Sequence, residues 1–491
     1  MGKGQGSSPV ERVSDDGGYD ELSREVDRYI DEVWDGVVSD IAEMVSHPSV
    51  AYASAATPED PYGPDAHAAL RCALGIASRL GLDAHDCDGH IGYADVPGKS
   101  DEYVATIAHC DVVPAGEGWT ADPFSMRRRE GYLIGRGVMD DKGPLVLSLY
   151  AAHFFAQRRA RGAEPLPYTL RAIVGSDEEV GCSDVPYYLE RFPEPLFLFT
   201  PDANFPVGVG EKGHLTAAFV SAPLREGRVV SFDAGHATNA IPGLAKAAVR
   251  ADASRLPHAD GIEVAAGPEG LALLTAHGRG GHASMPQGTV NAIGMIVSYL
   301  RDNGLLSSRE APFFDLLALV FASTDGSTLG IGECDELFGA PTCIGGTIHM
   351  VDGRLEQTVD TRYTTALTGQ VIMGRLEGLA ARYGATLRPM GFADPYVTSP
   401  DSEPVRALLD VYDAVTGRRG EPLTMGGGTY ARLFAHAVSF GPNDVDDARI
   451  APDWVGPEHG PDEGISEASL RRALKVYILA IARLMGLSYR W

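Results

Sequence analysis

The sequence predicts an α/β fold: a mixed, largely parallel sheet flanked by helices, interrupted by an inserted α+β block. Three observations carry this reading. Strand-length apolar runs alternate with segments of helical periodicity from Leu22 to Thr200, and again near the C-terminus. Acidic residues and histidines recur where the predicted strands end, the edge at which α/β sheets carry ligands. The alternation breaks at about Gly213 and resumes at about Asp394. Three segments follow: a disordered tail over 1–18, a two-part domain over 19–212 and 393–491, and an inserted domain over 213–392.

The tail, MGKGQGSSPVERVSDDGG, is rich in Gly and Ser and has no apolar core, so it does not read as a secretory signal. Leu22, Val26, Ile30, Val33, Val37, Ile41 and Met44 recur every three or four residues, predicting a long amphipathic helix that stops near Pro48. A second helix is expected from Asp65 to Leu80, with Gly81 closing it. Strands follow at Ile91–Val96 and Tyr103–Ala108. Pro144 can open a helix carrying Leu145, Leu149 and Phe154. Tyr168–Val174 and Leu196–Thr200 read as buried strands.

In the inserted block, His214–Val220 and Val264–His277 look like strands, the second of them long. A helix with Ile293, Ile296 and Leu300 comes next. Thr347–Tyr363 reads as a hairpin turned at Asp352-Gly353, and a helix with Leu376 and Leu379 follows it. Beyond the insert, Pro404 opens a helix, Gly426-Gly427-Gly428 forms a loop and Val438–Gly441 a strand. A last helix begins near Ser466 and buries Leu470, Leu474, Ile478 and Ile481.

Composition narrows the function classes. The chain has 491 residues, 44% hydrophobic and 22% charged, with a formal net charge of -26. That acidity argues against nucleic acid or an anionic membrane surface as a partner. No run of eighteen apolar residues suggests a membrane span. Cysteines 72, 87, 110, 182, 334 and 343 form no CxxC pair. They read as reduced thiols, which places the protein in the cytoplasm.

The chemistry starts at His109-Cys110-Asp111, where an apolar strand ends. Alternation puts His109 and Asp111 on one face, so a metal-binding imidazole gains a carboxylate to orient it. Asp140-Asp141 stand between glycines ahead of a helix. Glu178-Glu179 and Asp202 follow two further strands, and His459 lies in a late loop. Taken together, His109, Asp140, Glu179, Asp202 and His459 suit two divalent metals of the Zn/Mn/Co range, each with one imidazole, one terminal carboxylate and a share of a bridging one. Two such metals about 3.5–4 Å apart can hold a hydroxide and polarise a carbonyl. Glu178 is placed to act as the general base and then as the acid.

These segments together, His109-Cys110-Asp111-Val112-Val113-Pro114, Gly135–Pro144, Asp177-Glu178-Glu179, Pro201-Asp202 and His459, resemble the signatures of the M20 metallopeptidases. The likeness runs from about residue 20 to the end and is nearest to the dipeptidase V branch, with its carnosinase-like Xaa-His dipeptidases. It implies a zinc-exopeptidase-like catalytic domain with a lid as the insert. It implies that His109 and Asp202 bind one zinc, that Glu179 and His459 bind the other, and that Asp140 bridges them. It also implies Asp111 as orienting residue, Glu178 as general acid/base and a cis Asp140-Asp141 peptide. His282 matches the lid histidine that stabilises the oxyanion, an interaction worth about 3–4 kcal/mol of barrier. Asn239 and Arg362 match substrate contacts, with Arg362 suited to a C-terminal carboxylate. The amides of Gly427, Gly428 and Thr429 can add to that anion pocket. The lid is long for the family, which implies that His282 serves its own chain and that a monomer suffices.

The expectation is therefore a dimetal dipeptidase that hydrolyses dipeptides with a metal-bridging hydroxide. Zn2+ is the expected metal, and the ligand set also accepts Mn2+ or Co2+. An N-acyl amino acid deacylase of the acetylornithine or succinyl-diaminopimelate type would use the same metals with another pocket. A non-catalytic metal- or peptide-binding protein would have no use for Glu178.

Overall fold

The computed structural model describes residues 16–224 and 227–489. The tail expected over 1–18 lies outside the described residues up to residue 15, and Asp16 already opens a helix. Contacts divide the chain into two compact units. The first is Met1–Val209, Thr398–Leu423 and Thr429–Trp491; the second is Gly210–Val397 with Thr424–Gly428. Among the described residues no helix is long and apolar enough to cross a membrane.

The first unit is built on a sheet whose strands run in the order Asp83–Cys87, Ile91–Val96, Thr169–Gly175, Tyr103–His109, Phe197–Thr200, Ala437–Ser439, Val207–Glu211. The three central pairings, from Thr169–Gly175 to Ala437–Ser439, are parallel. The pairings at both margins are antiparallel. The sheet is thus mixed, with parallel strands at the centre. There the strands are covered on both faces, and Tyr103–His109 is buried at every position.

Helices Asp16–Val45, Pro64–Arg79, Lys142–Ala160, Glu403–Thr416 and Glu467–Met485 share one apolar core with this sheet. The first helix shows its stripe as Val26, Ile30, Val37, Ile41 and Met44, all buried. Lys142–Ala160 departs from the amphipathic reading: every residue from Lys142 to Ala152 is buried, so no polar face marks its rotation. Ser466 caps the last helix by accepting from the Ser469 N–H.

The second unit holds an antiparallel eight-stranded sheet. Its order is Ile262–Ala266, Leu271–His277, Leu244–Arg250, Val229–Ala234, Thr342–Val351, Arg354–Tyr363, Gly213–Val220, Thr386–Ala393. Helices Ala292–Asp302, Ala311–Ala322 and Gly369–Arg382 bury their apolar residues in a second core with it. The turn expected at Asp352-Gly353 is present, both residues having positive φ (49° and 72°). The single long strand expected at Val264–His277 is instead a hairpin. Gly267-Pro268-Glu269-Gly270 turns the chain, with Glu269 and Gly270 at positive φ. Helix Ala311–Ala322, apolar around most of its surface, gives no periodic signal and was not expected.

Candidate functional site

The first unit gathers the residues that the sequence singles out for metal chemistry. His109 closes the central strand Tyr103–His109 and is fully buried. Its ring has two different sides. Nδ1 lies 3.0 Å from the Asp111 carbonyl and 3.4 Å from the Asp111 carboxylate. Nε2 lies 3.0 Å from Asp140 Oδ1 and 3.8 Å from Asp202 Oδ2. A proton on Nδ1, given to Asp111, would leave Nε2 to ligate a metal once the proton it shares with Asp140 is displaced.

Asp140 carries the geometry further. Its second oxygen, Oδ2, lies 2.8 Å from His459 Nε2, which in turn stands 3.3 Å from Glu179 Oε1. One carboxylate therefore faces two imidazoles, one oxygen to each. Donor atoms of His109, Asp140 and Glu179 all lie within 4.8 Å of one another, and so do those of His109, Glu178 and Asp202. The peptide between Asp140 and Asp141 is cis. Asp141 does not join the donors: its Oδ2 accepts from the His109 backbone N–H at 3.1 Å.

Asp111 has a further task. Its two carboxylate oxygens accept from the backbone N–H groups of Glu178 (3.3 Å) and Glu179 (3.1 Å). One buried carboxylate thus orients both the first imidazole and the turn that carries two acids. Behind His109, the Tyr430 ring packs edge-on at 6.4 Å, and its hydroxyl donates to Asp184.

Crowding of like charges sets the electrostatics. Burial, reinforced by neighbouring carboxylates, pushes Glu178 and Asp202 well above the ordinary carboxylate range and raises Glu179. Asp140 is also buried, but hydrogen bonds from His109 and His459 hold its carboxyl below the usual range. Contacts with the Asp140 and Glu179 carboxylates raise His459 to about 11. Burial opposes a charged His109, and hydrogen bonds to Asp111 and Asp140 overcome it and lift the ring well above the usual histidine range. Glu179 Oε1 is buried, with His459 Nε2 at 3.3 Å as its polar neighbour. Several buried carboxylates sharing so small a volume are costly without cations. The donor set, two imidazoles and oxygen ligands without thiolate, suits divalent metals of the Zn/Mn/Co range. His109, Asp140, Glu179, Asp202 and His459 could hold two such ions, with Glu178 beside them. Cys110 is buried and its Sγ points to the Ala66 carbonyl, away from the donors.

Asn239, His282, Arg362, Gly427 and Gly428 belong to the second unit. Ala240 pairs with His282 across a short two-stranded ribbon, and the Asn239 carbonyl accepts from the Ala283 N–H. Ser284 donates its backbone N–H to His282 Nδ1 at 3.2 Å. That acceptor role puts the ring proton on Nε2 and makes Nε2 a donor. Arg362 is held by Asp360, Nε to Oδ1 at 2.9 Å, and donates Nη1 to the Gly426 carbonyl at 3.2 Å. A Cβ on Gly426 would come within 3.1 Å of Ser284 Cβ. Arg362, the glycine loop and the His282 ribbon are therefore neighbours inside this unit. Thr429 lies in the first unit, buried, with its hydroxyl capping the turn Tyr430–Leu433 by accepting from the Ala431 N–H.

Two residues of the site escape the sequence reading. Arg136 and Glu463 form a buried ion pair that meets the Asp140 turn and the His459 loop. Only their adjacency to the two ligand segments could have drawn notice.

Comparison with known proteins places this architecture. Peptidase family M20/M25/M40 matches residues 105–483. YtjP of Bacillus subtilis (strain 168) is 30% identical over 465 residues, covering 91% of this chain and 97% of that protein. The Beta-Ala-Xaa dipeptidase of Lactobacillus delbrueckii subsp. lactis is 30% identical over 450 residues, 87% of this chain and 90% of its own. Human carnosine dipeptidase 1 shares the fold, with a TM-score of 0.59 at 16% identity over 95% of this chain and 99% of that one.

Proposed function

This chain belongs to peptidase family M20/M25/M40, and from that premise we propose that it is a two-metal dipeptidase. The observation that carries the reading is Asp140, whose two oxygens face two imidazoles. That is the arrangement a bridging carboxylate needs. Zn2+ is our first choice of metal. Two bound cations supply Lewis acidity toward a carbonyl and acidify a water.

The chain's own residues divide the remaining work. His109 and Asp202 form one ligand pair, Glu179 and His459 the other. Asp111 keeps His109 in the tautomer that offers Nε2. Glu178 takes a proton from the attacking water at its carboxylate and delivers it to the nitrogen of the leaving amine. Its buried, proton-retaining setting supports both halves of that transfer.

To the second unit we assign recognition and oxyanion support, as a lid. His282 donates its Nε2–H to the developing oxyanion. Arg362, pre-oriented by Asp360, pairs with the free C-terminal carboxylate of the substrate, aided by amides of Gly427 and Gly428. Asn239 contacts the substrate from the same ribbon as His282. A carboxylate clamp favours short peptides with free ends over longer chains. We place the enzyme in the cytoplasm and expect a monomer to be sufficient.

Hydrolysis of a panel by metal-reconstituted protein tests this. The panel holds L-dipeptides, a tripeptide, carnosine, and N-acetyl and N-succinyl amino acids. Chelator-sensitive cleavage confined to dipeptides is the expected result. Cleavage of the acylated amino acids alone would refute the dipeptidase assignment.

A further inference from the structure

The two segments that carry Asp140 and His459 are far apart in sequence, yet one buried pair reaches both. Glu463 is fully buried. Its Oε1 accepts from three backbone N–H groups of the Asp140 turn: Gly137 at 3.0 Å, Met139 at 3.1 Å and Asp140 itself at 3.3 Å. Its Oε2 accepts from Arg136 Nη1. Arg136 is fully buried as well. Its Nη2 donates to the His459 carbonyl at 3.2 Å and to the Ala115 carbonyl at 3.3 Å. The Trp119 ring lies 5.2 Å from the guanidinium.

The surrounding backbone makes this pair a strut rather than an incidental contact. Strand Gly464–Ser466 pairs antiparallel with Tyr132–Ile134. The Gly135 N–H donates to the Glu463 carbonyl at 2.9 Å, so the two ligand segments leave one ladder side by side. Beyond the ladder an isolated bridge joins Gly456 to Glu463 and closes the His459 loop, which itself adopts a costly conformation. His459 has φ 60° and Asp462 φ 54°, a region that L side chains enter only under constraint. Gly137 has φ 91°, and a Cβ there would lie 2.8 Å from Lys142 Cδ. Three N–H groups accepted by one carboxylate oxygen fix the turn, and one arginine carbonyl contact fixes the loop.

We propose that Arg136 and Glu463 are positioning residues that set the separation of Asp140 and His459, and hence the affinity for the metal ion that His459 helps to hold. The proposal rests on the two-metal reading. Both metals would share the Asp140 turn, but only one would use His459, so the contact to the His459 carbonyl weights the effect toward that ion. Among the described residues neither member of the pair hydrogen-bonds to the side chain of His109, Asp202 or Glu178. Breaking the pair therefore weakens the metal site that uses His459 more than the other. Buried pairs of this kind contribute little net stability when intact, whereas removing one partner leaves the other's charge buried and uncompensated.

The test is calorimetric titration of the metal-free full chain with Zn2+, and separately Mn2+, for the parent, Glu463→Gln and Arg136→Lys. Circular dichroism and thermal melting run alongside. Gln keeps the shape of Glu463 but opposes the guanidinium with an amide N–H. Lys keeps the charge of Arg136 but cannot reach Glu463 and the His459 carbonyl together. The expected result is two metal equivalents in the parent. In each variant one equivalent is retained and the other is weakened tenfold or more, with folded spectra. Turnover should fall mainly in kcat and recover as metal is added in excess. Unchanged affinity for both equivalents in a folded variant would overturn the proposal. So would equal weakening of both, or activity loss that tracks unfolding and resists added metal. A parent that binds no metal would instead refute the two-metal reading itself. If one variant does not fold, the other is read by the same criteria.

Discussion

Asp111 accepts from the backbone N–H of Glu179 at 3.1 Å while its other oxygen accepts from that of Glu178. The same carboxylate stands 3.4 Å from His109 Nδ1. A single side chain therefore ties a proposed ligand on one strand end to a proposed ligand and base on the next. Substituting it disturbs both. Asp111→Ala should weaken metal binding roughly 10- to 100-fold, the usual cost of removing the partner of a ligating imidazole. Metal titration of the purified variant measures this directly. An affinity equal to that of the parent would show that His109 needs no such partner.

Glu178→Gln separates proton transfer from metal binding. If Glu178 is the acid and base, kcat should fall by about 10²- to 10⁴-fold. KM and metal stoichiometry should stay near the parent's. A variant that turns over at the parental rate removes Glu178 from the mechanism. One that loses a metal equivalent makes it a ligand.

Removing metal should loosen the first unit as well as silence it. Buried carboxylates at Glu178, Glu179 and Asp202 are pushed toward the protonated form by burial and by one another. A ligand at a hundred times its Kd adds about 2.7 kcal/mol. Chelation should therefore lower Tm by roughly 5 °C or more. Differential scanning calorimetry with and without chelator reads it, and identical Tm values would argue against a filled centre.

Arg362 is expected to act on the substrate's C-terminal carboxylate. Arg362→Lys keeps a charge but loses the planar fork. Its KM for dipeptides should rise roughly tenfold, while dipeptide amides, poor substrates to begin with, should change little. An equal loss for acids and amides would assign Arg362 to its ion pair with Asp360 alone.

Acid–base titration gives a stability test outside the metal ligands. Burial lifts the Asp184 carboxyl to about 7, and hydrogen bonds from Tyr430 and the Ser176 N–H only partly offset this. An unfolded aspartate titrates near 4. Between those values the folded state holds the proton more tightly, so this group's contribution is fully present below about pH 4. It is lost as pH rises through about 7. The loss is bounded by about 4 kcal/mol, from 1.36 kcal/mol per pKa unit. Asp184→Asn keeps one acceptor oxygen for the Tyr430 hydroxyl and the Ser176 N–H and should flatten the slope. Urea unfolding at pH 5 and pH 8 compares the two proteins, and parallel losses would refute the assignment.

Legibility from sequence followed local chemistry. His109, Asp140, Glu179 and Asp202 stand out as candidates because each follows an apolar run of strand length, or stands between glycines before a helix. The mixed sheet was readable for the same reason at its parallel centre. Glu463 was not, because an acid in Gly460-Pro461-Asp462-Glu463 looks like any solvated loop residue. Only the pairing of Gly464–Ser466 with Tyr132–Ile134 brings it under the Asp140 turn. The hairpin at residues 262–277 read as one strand because both its arms have strand composition. The turn depends on a positive φ at Glu269, which composition does not announce. Helix Ala311–Ala322 is apolar nearly all round, so periodicity had nothing to detect.

The placement of His459 has a temporal consequence. His109, Asp140, Glu179 and Asp202 all precede the second unit, which occupies Gly210–Val397, while His459 comes after it. A chain emerging from the ribosome thus displays four of the five proposed donors long before the fifth exists. The nascent protein passes through synthesis with one of the five proposed donors missing. It becomes competent to cut peptides only when its closing segment has been made and has folded home.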